Sequence, residues 1–210
     1  MERPDHIYII SLKRANRTGD AIKALAAQGV HDAEVMYAMD CLDETSPAFG
    51  LKGYAASALT HQMVYNDIID KGYYRALILE DDALFEGDFF EQLARIDEPK
   101  DWQMFYFGGT RVNPIEKYIG NGNVQIDKTL CGHAYMIRWD ALREAIKMIP
   151  QRPTEPHDLY LCELQKKYPT YISIPFLILQ TPGHSSIENR WMDYTEFMRT
   201  ESNQIKNNAI

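Results

Sequence analysis

The chain has 210 residues, of which 45% are hydrophobic and 25% charged, and its formal net charge is −8. This length and composition allow a sizeable apolar core and exclude wholesale disorder. The negative charge excludes a generic attraction to nucleic acid or to an anionic membrane surface, although a local basic pocket remains open.

The cysteines and the apolar runs indicate a cellular compartment. Cys41, Cys131 and Cys162 lie far apart and form no CxxC pair, so they fit reduced thiols. The first apolar run is too short for a secretory signal, and no stretch approaches the roughly 20 apolar residues of a membrane span. The sequence therefore predicts a soluble, cytoplasmic protein without a transmembrane segment.

The first half alternates short apolar runs, typical of buried strands, with amphipathic stretches, typical of helices. Strands are predicted at 6–12, 33–39, 74–80 and 102–109, and helices at 17–29, 53–72 and 87–96. Gly29 and Gly72 stand where they would end the first two helices. This rhythm predicts an α/β fold with a mainly parallel central sheet flanked by helices on both faces.

The second half is less regular. Strands are predicted at 123–129, 133–139, 170–174 and 176–180, and helices at 140–149 and 156–168. The first two of these strands could form a hairpin across Cys131–Gly132. The last residues are polar and are expected to fray. Without an internal repeat or a linker, we expect one domain over residues 1–190, followed by a polar tail over 191–210.

The stretch ALILEDDALF, residues 76–85, places three carboxylates at the end of an apolar strand. Ligands of parallel α/β sheets bind at the carboxyl ends of strands. Because side chains alternate along a strand, Glu80 and Asp82 should lean to one side and Asp81 to the other. Two hard oxygen ligands suit Mg²⁺ or Mn²⁺, which can hold a diphosphate. Alternatively, the acids favour the dipole of the helix that follows.

Several motifs occur along the chain in the order expected of glycosyltransferase family 25, which the sequence resembles from about residue 6 to residue 187. They are HIYIISLKRANR, YAMD, LKGYAASALTH, ALILEDDALF, MFYFGG, GHAYMIRWDALREAI, PHDLYL and QTPGHSSI. The family includes lipooligosaccharide and procollagen galactosyltransferases. The resemblance implies a GT-A-type nucleotide-sugar fold, a UDP-sugar donor, a role in lipopolysaccharide biosynthesis, and a divalent metal at a DxD-like signature that LEDD occupies here.

The resemblance also assigns the donor pocket. Basic residues after the first strand offer a cationic fork to phosphate. The donor-binding residues implied are Ser11, Leu12, Arg14, Arg17, Asp40, Glu80 and Asp81. The alternatives are that the two arginines simply open an exposed helix and that Asp40 caps a turn.

The metal ligands implied are Asp82, Glu80 and His184, with Mn²⁺ or Mg²⁺ as the ion. A surface-loop histidine is the alternative for His184. The segment 53–61 departs from the family pattern, yet it keeps Gly53 and His61. His61 is interpreted first as a packed, hydrogen-bonded histidine and second as part of the pocket.

Two further groups complete the candidate site. Gly108 and Gly109 would let the backbone approach a sugar closely. For an inverting reaction, which the resemblance implies, Asp158 aligns with the family's Pro-x-Asp and is the candidate base, with Glu155 in reserve. An aspartate at a helix N-terminus should have a lowered pKa and be ready to accept a proton; its alternative is a capping acid.

The leading hypothesis is a metal-dependent inverting glycosyltransferase that moves a hexose such as galactose from a UDP-sugar to a hydroxyl of a glycan, lipid-linked or protein acceptor. An aspartyl-nucleophile phosphatase is a poor alternative, because Glu80 replaces its first aspartate and Leu84 its threonine. A non-catalytic carbohydrate-binding or partner subunit stays open because of the altered 53–61 segment.

Overall fold

A computed structural model of the chain describes residues 1–115, 121–185 and 190–208. Its helices are α1 (Thr18–Ala27), α2 (Gly53–Lys71), α3 (Phe89–Ala94), α4 (Trp139–Met148), α5 (His157–Gln165) and α6 (Thr195–Asn208). Within those three ranges, no helix is both long and apolar enough to cross a membrane.

Twelve strands occur in the described residues. They are β1 (His6–Ser11), β2 (Glu34–Tyr37), β3 (Ala76–Glu80), β4 (Ala83–Phe85), β5 (Met104–Tyr106), β6 (Thr110–Pro114), β7 (Asn123–Leu130), β8 (Ala134–Ile137), β9 (Thr170–Ser173), β10 (Ile178–Gln180), β11 (Gly183–Ser185) and β12 (Arg190–Met192). Eight of these form the central sheet, in the order β2-β1-β3-β8-β5-β9-β7-β6, and β4–β10 and β11–β12 form two short pairs.

The central sheet has one dominant strand direction. β1 pairs in parallel with β2 and β3, and β5 pairs in parallel with β9. Only β7 and β8 run against their neighbours, so the other strands of this described sheet share one direction. The ends of β1 and β3 therefore meet at the same edge, where the sequence places its acids.

Both faces of the sheet are buried, which explains the near-continuous apolar runs of its strands. Along β1, Tyr8 and Ile10 join a core that also contains residues of α2, α4, α5 and α6. Ile7 and Ile9 join a second core with residues of α1 and α3. The predicted α/β class, with helices on both faces, is confirmed.

The predicted hairpin across Cys131–Gly132 is wrong. β7 pairs with β6 and β9, whereas β8 pairs with β3 and β5. Two strands, β5 and β9, separate them in the sheet. The apolar patterns on either side of Cys131–Gly132 mark two strands correctly, but pairing depends on distant partners that a local pattern does not specify.

The expectation that the end of the chain frays is also wrong for the described residues, which extend to Asn208. The segment 195–208 forms α6, which buries Met198 and Ile205. These two residues lie seven positions apart and therefore share one face of a helix, and the polar residues around them cover the other face. The domain boundary at residue 190 stays a prediction.

Candidate functional site

The three acids lie in a cleft of about 190 Å³ at the edge where β1 and β3 end. The walls of the cleft come from the segment after β1, the residues 38–41, the first turns of α2 and the segment 180–185. Parallel pairing of β1 with β3 brings residue Ile10 opposite Glu80. The cleft is therefore built where the resemblance to a nucleotide-sugar enzyme would place the donor.

Asp81 is buried and fully engaged by protein groups. Arg17 Nη2 lies 2.6 Å from one carboxylate oxygen of Asp81. Ser11 Oγ donates to the other oxygen at 2.8 Å and lies 2.6 Å from Thr18 Oγ1. The Nε atom of Arg17 is buried without a hydrogen-bond partner. Asp81 thus holds Arg17 at the cleft.

Asp40 and Arg14, which also line the cleft, form an ion pair, with Arg14 Nε 2.8 Å from Asp40 Oδ2. The other oxygen of Asp40 accepts a hydrogen bond from the backbone N–H of Leu42 at 2.9 Å. The turn-capping alternative for Asp40 is therefore observed. The cleft lining includes Leu12, Arg14 and Asp40, as a donor-binding role requires. That role stays a prediction.

Glu80 is held by a buried chain of histidine and tyrosine side chains. His61 Nε2 lies 3.3 Å from Glu80 Oε1, and His61 Nδ1 lies 3.0 Å from the hydroxyl of Tyr135. Tyr65 then joins the hydroxyl of Tyr135, at 2.5 Å, to Nε2 of His157, at 2.7 Å. We call His61, Tyr135, Tyr65 and His157 the His–Tyr network.

The charge state of Glu80 fixes the direction of the first bond in this network. Burial raises the pKa of Glu80, but the hydrogen bond and the charge of His61 outweigh it, so the net pKa is lowered. An ionised carboxylate only accepts hydrogen bonds, hence His61 Nε2 donates to Glu80. Burial likewise holds the pKa of His157 well below its usual value. The interpretation of His61 as a packed, hydrogen-bonded histidine agrees with these contacts.

Asp82 lies in a different environment. Gln180 Nε2 donates to Asp82 Oδ2 at 3.1 Å, whereas Asp82 Oδ1 is buried and has no hydrogen-bond partner among the described residues. Burial, reinforced by the negative charge of Glu80, raises the pKa of Asp82 to about 7. Among the described residues, Asp82 is thus the member of the triplet without an ion pair, and the charge of Arg17 lowers its pKa without offsetting burial and Glu80.

The predicted metal set of Glu80, Asp82 and His184 is not assembled. Within the described ranges, no group of three or more His, Cys, Asp or Glu side chains is placed to hold a metal ion. His184 is an exposed residue of β11 at the edge of the cleft. In sites that also bind phosphates, however, Mg²⁺ takes one or two carboxylates and completes its shell with phosphate and water oxygens. The unpartnered oxygen of Asp82 fits such an ion.

The candidate bases lie outside the residues that line the cleft. Asp158 is half-buried in the first turn of α5, and Glu155 is exposed. The expected lowering of the Asp158 pKa is wrong: burial raises it, and the charge of Glu80 adds to this, against a hydrogen bond from the backbone of Cys131. The sequence predicts the helix terminus at Asp158, but it does not predict that the folded chain buries this carboxyl group.

The glycine pair approaches protein rather than a cavity. A Cβ at Gly108 would come within 2.0 Å of the carbonyl oxygen of Ile178, and one at Gly109 within 2.1 Å of Thr129 Oγ1. Neither glycine lines the cleft. The close backbone approach expected of the pair is present, but these contacts give no support to sugar binding.

Gln180 is a cleft residue that the sequence analysis missed, and Ser57, Thr60 and Thr181 are others. Gln180 ends β10 and contacts Asp82 directly. A signal was available, because Gln180 follows the apolar residues Phe176–Leu179 in the same way that Glu80 follows Ala76–Leu79. Both positions are polar residues at the end of an apolar strand, which is where ligands of such sheets bind.

The fold and this cleft define an α/β protein with an acidic cleft at its strand ends. The model of glycosyltransferase family 25, described as an LPS biosynthesis protein, matches residues 4–114. That match covers more than half of the chain, and the chain belongs to this family.

The similar curated proteins include some that are named inactive members of the family and some that are named procollagen galactosyltransferases. Human "inactive glycosyltransferase 25 family member 3" is 24% identical over 169 residues, covering 69% of this chain and 28% of that protein. Human procollagen galactosyltransferase 2 is 28% identical over 127 residues, covering 56% of this chain and 20% of that protein. The chain spans less than a third of the length of these relatives.

Two solved structures show a distant likeness. One is a Drosophila β-1,4-galactosyltransferase 7 mutant in complex with manganese, UDP-Gal and xylobiose: 10% identity, a TM-score of 0.45, and coverage of 92% of this chain and 74% of that chain. The other is a glycosyltransferase involved in glycosylation of the major capsid of PBCV-1: 14% identity, a TM-score of 0.42, and coverage of 72% and 69%.

Proposed function

We propose that the chain is a metal-dependent, inverting glycosyltransferase of GT-A type that moves a hexose such as galactose from a UDP-sugar to an acceptor hydroxyl. The observation that carries the proposal is the arrangement of Arg17 and Asp82 at the ends of β1 and β3. A fixed guanidinium and a carboxylate without a counter-charge line the same cleft. Family membership and the procollagen galactosyltransferases among its relatives support it.

Arg17 is the group proposed to bind the donor diphosphate. Its guanidinium is oriented by Asp81, and its buried Nε has no hydrogen-bond partner. A planar fork of this kind suits phosphate oxygens. Arg14 supplies a second positive charge at the cleft wall. Asp81 contributes indirectly, by holding Arg17 in place.

The acidic side of the cleft is proposed to bind the ion. Asp82 would hold Mn²⁺ or Mg²⁺ through its unpartnered oxygen. When bound, such an ion offsets the negative charge that develops on a departing UDP. Glu80, whose carboxylate is engaged by His61, would contribute charge rather than a free ligand.

Asp158 is the proposed general base. Its role is to accept the proton of the acceptor hydroxyl at a carboxylate oxygen as that hydroxyl attacks the sugar. The raised pKa of Asp158 makes it a stronger base than an exposed aspartate, and the charge of Glu80 contributes to that rise. Glu155 is the reserve candidate. The acceptor is proposed to be a glycan, a lipid-linked sugar or a protein hydroxyl.

A cytoplasmic location is also proposed. The three free cysteines support it, because thiols stay reduced in that compartment.

A non-catalytic carbohydrate-binding or partner subunit is the second candidate. It is favoured by the relatives that are named inactive members of the family. In the segment 53–61, which departs from the family pattern, Ser57 and Thr60 line the cleft and would change its chemistry.

The test of the proposed function is a titration of the purified chain with UDP in the presence of Mn²⁺ or of EDTA, followed by thermal shift. UDP release from a panel of UDP-hexoses is then measured. Metal-dependent stabilisation by UDP together with slow hydrolysis of one UDP-sugar is the expected result. Binding of free sugars without metal-dependent UDP binding and without hydrolysis of a UDP-sugar would favour the non-catalytic subunit.

A further inference from the structure

Two buried oxygen atoms that have no hydrogen-bond partner within residues 1–115, 121–185 and 190–208 lie on neighbouring side chains in the cleft wall. They are Oδ1 of Asp82 and Oε1 of Gln180. The two side chains contact each other through their other ends, Asp82 Oδ2 and Gln180 Nε2, at 3.1 Å. Buried acceptors are normally satisfied, so two adjacent exceptions that both line a cleft point to a missing positive ligand.

The orientation of the Gln180 amide follows from the chemistry of its neighbour. In the ionised form that would bind a cation, Asp82 only accepts hydrogen bonds, so the amide presents its NH₂ group to Asp82 and its oxygen elsewhere. Turning the amide over would place two acceptors against each other. Gln180 Oε1 therefore remains an acceptor without a donor, as Asp82 Oδ1 does.

The backbone holds both residues in place, although they are 98 positions apart. Gln180 pairs with Ala83 in the short β4–β10 ladder. The backbone N–H of Thr181 donates to the carbonyl of Asp82 at 2.7 Å, and Thr195 Oγ1 donates to the carbonyl of Gln180 at 2.9 Å. Ligands fixed in this way lose little freedom when an ion binds.

The charge of Arg17 lowers the pKa of Asp82, but it does not offset burial and the charge of Glu80. Arg17, which also lines the cleft, forms its ion pair with Asp81. No ion pair joins Asp82 to a lysine, arginine or histidine in the described ranges. Glu80 adds a further negative charge beside Asp82.

We propose that Asp82 Oδ1 and Gln180 Oε1 together are the protein ligands of a divalent cation, in place of a set that includes His184. A carboxylate oxygen and an amide oxygen are both hard ligands that suit Mg²⁺ and Mn²⁺. This inference rests on the proposed function. It makes Gln180, the last residue of β10, a metal ligand, in addition to the pairing of that strand with β4.

The test measures Mn²⁺ affinity of the full chain by electron paramagnetic resonance of free Mn²⁺, in the absence of any substrate. Gln180→Met keeps the side-chain length but removes the oxygen, and it should weaken Mn²⁺ binding roughly tenfold or more. Gln180→Glu restores an oxygen and should bind Mn²⁺ at least as tightly as the natural chain. His184→Ala is the matched control and should leave the affinity unchanged.

Thermal unfolding adds a second readout. In EDTA, Gln180→Glu should unfold at a lower temperature than the natural chain, because it places a second carboxylate beside Asp82. Added Mn²⁺ should then raise its unfolding temperature by more than it raises that of the natural chain.

The outcomes separate this inference from the function on which it rests. If the natural chain binds Mn²⁺ and UDP but Gln180→Met binds Mn²⁺ equally well, the ligand assignment is overturned and the transferase proposal stands. Loss of Mn²⁺ binding in His184→Ala alone would also overturn it. If the natural chain binds neither Mn²⁺ nor UDP, both the ligand assignment and the transferase proposal fail.

Discussion

The two ends of the acidic triplet differ in how their buried polar atoms are satisfied. At Glu80, hydrogen bonds run without a gap through the His–Tyr network to His157. At Asp82, two adjacent oxygens have no partner. A satisfied network contributes rigidity, whereas an unsatisfied pair carries a desolvation cost that a ligand can relieve. From this comparison we expect the Glu80 end to be structural and propose that the Asp82 end is functional.

Asp158 belongs with Asp82 in this comparison, because burial raises the pKa of both carboxyl groups. Asp158→Asn should therefore lower sugar transfer by roughly 10²–10⁴-fold, the range expected for loss of a general base. UDP affinity, measured by calorimetry, should not change. Turnover at the natural rate would move the role of base to Glu155.

The pH dependence of transfer follows from the same raised pKa. As pH falls, the carboxyl group of Asp158 takes up its proton at a higher pH than an exposed aspartate would. Transfer should therefore decline with falling pH above the range in which ordinary aspartates titrate. A rate that stays constant through that window would contradict the assignment.

Asp82→Ala tests the functional end of the triplet directly. It should abolish the Mn²⁺-stimulated part of UDP binding, a loss of roughly 10–100-fold at saturating metal. The free energy of unfolding in EDTA should not fall, because the substitution removes a buried carboxylate that lacks a counter-charge. Circular dichroism checks the fold. Unchanged UDP binding would mean that the metal is held elsewhere.

Tyr135→Phe tests the structural end and should have the opposite profile. It leaves His61 Nδ1 and the hydroxyl of Tyr65 short of a buried partner, so the free energy of unfolding should fall by about 1–3 kcal/mol. UDP affinity in Mn²⁺ should stay the same. Tyr74→Phe is the control, since Tyr74 is 52% exposed. A variant that keeps its stability but loses UDP binding would reverse the comparison.

The structural end could be partly predicted from the sequence. The apolar run before Glu80 marks β3, and helical spacing places His61 and Tyr65 on one face of α2. Gly72, with φ of +75°, ends that helix as expected. These features depend on neighbours within a few positions, so a local pattern contains them.

The functional end could not be predicted in the same way. The contact of Gln180 with Asp82 requires β4 to pair with β10, which joins segments almost a hundred positions apart. The raised pKa of Asp158 depends on burial by other parts of the chain. His184 was chosen as a ligand because imidazole can bind Mn²⁺, but the side chain is exposed, and the amide next to Asp82 was passed over.

Arg14→Gln should give the smallest effect and tests how far the functional region extends along the cleft. The ion pair with Asp40 is partly exposed, with 41% of the Arg14 side chain accessible, so its loss should change the free energy of unfolding by less than about 1 kcal/mol. If Arg14 contacts the donor diphosphate, UDP affinity should fall several-fold, and the loss should shrink as salt is added. An unchanged UDP affinity at low salt would mean that Arg14 only stabilises the turn at Asp40. Arg17 would then be the cation proposed to bind the donor diphosphate.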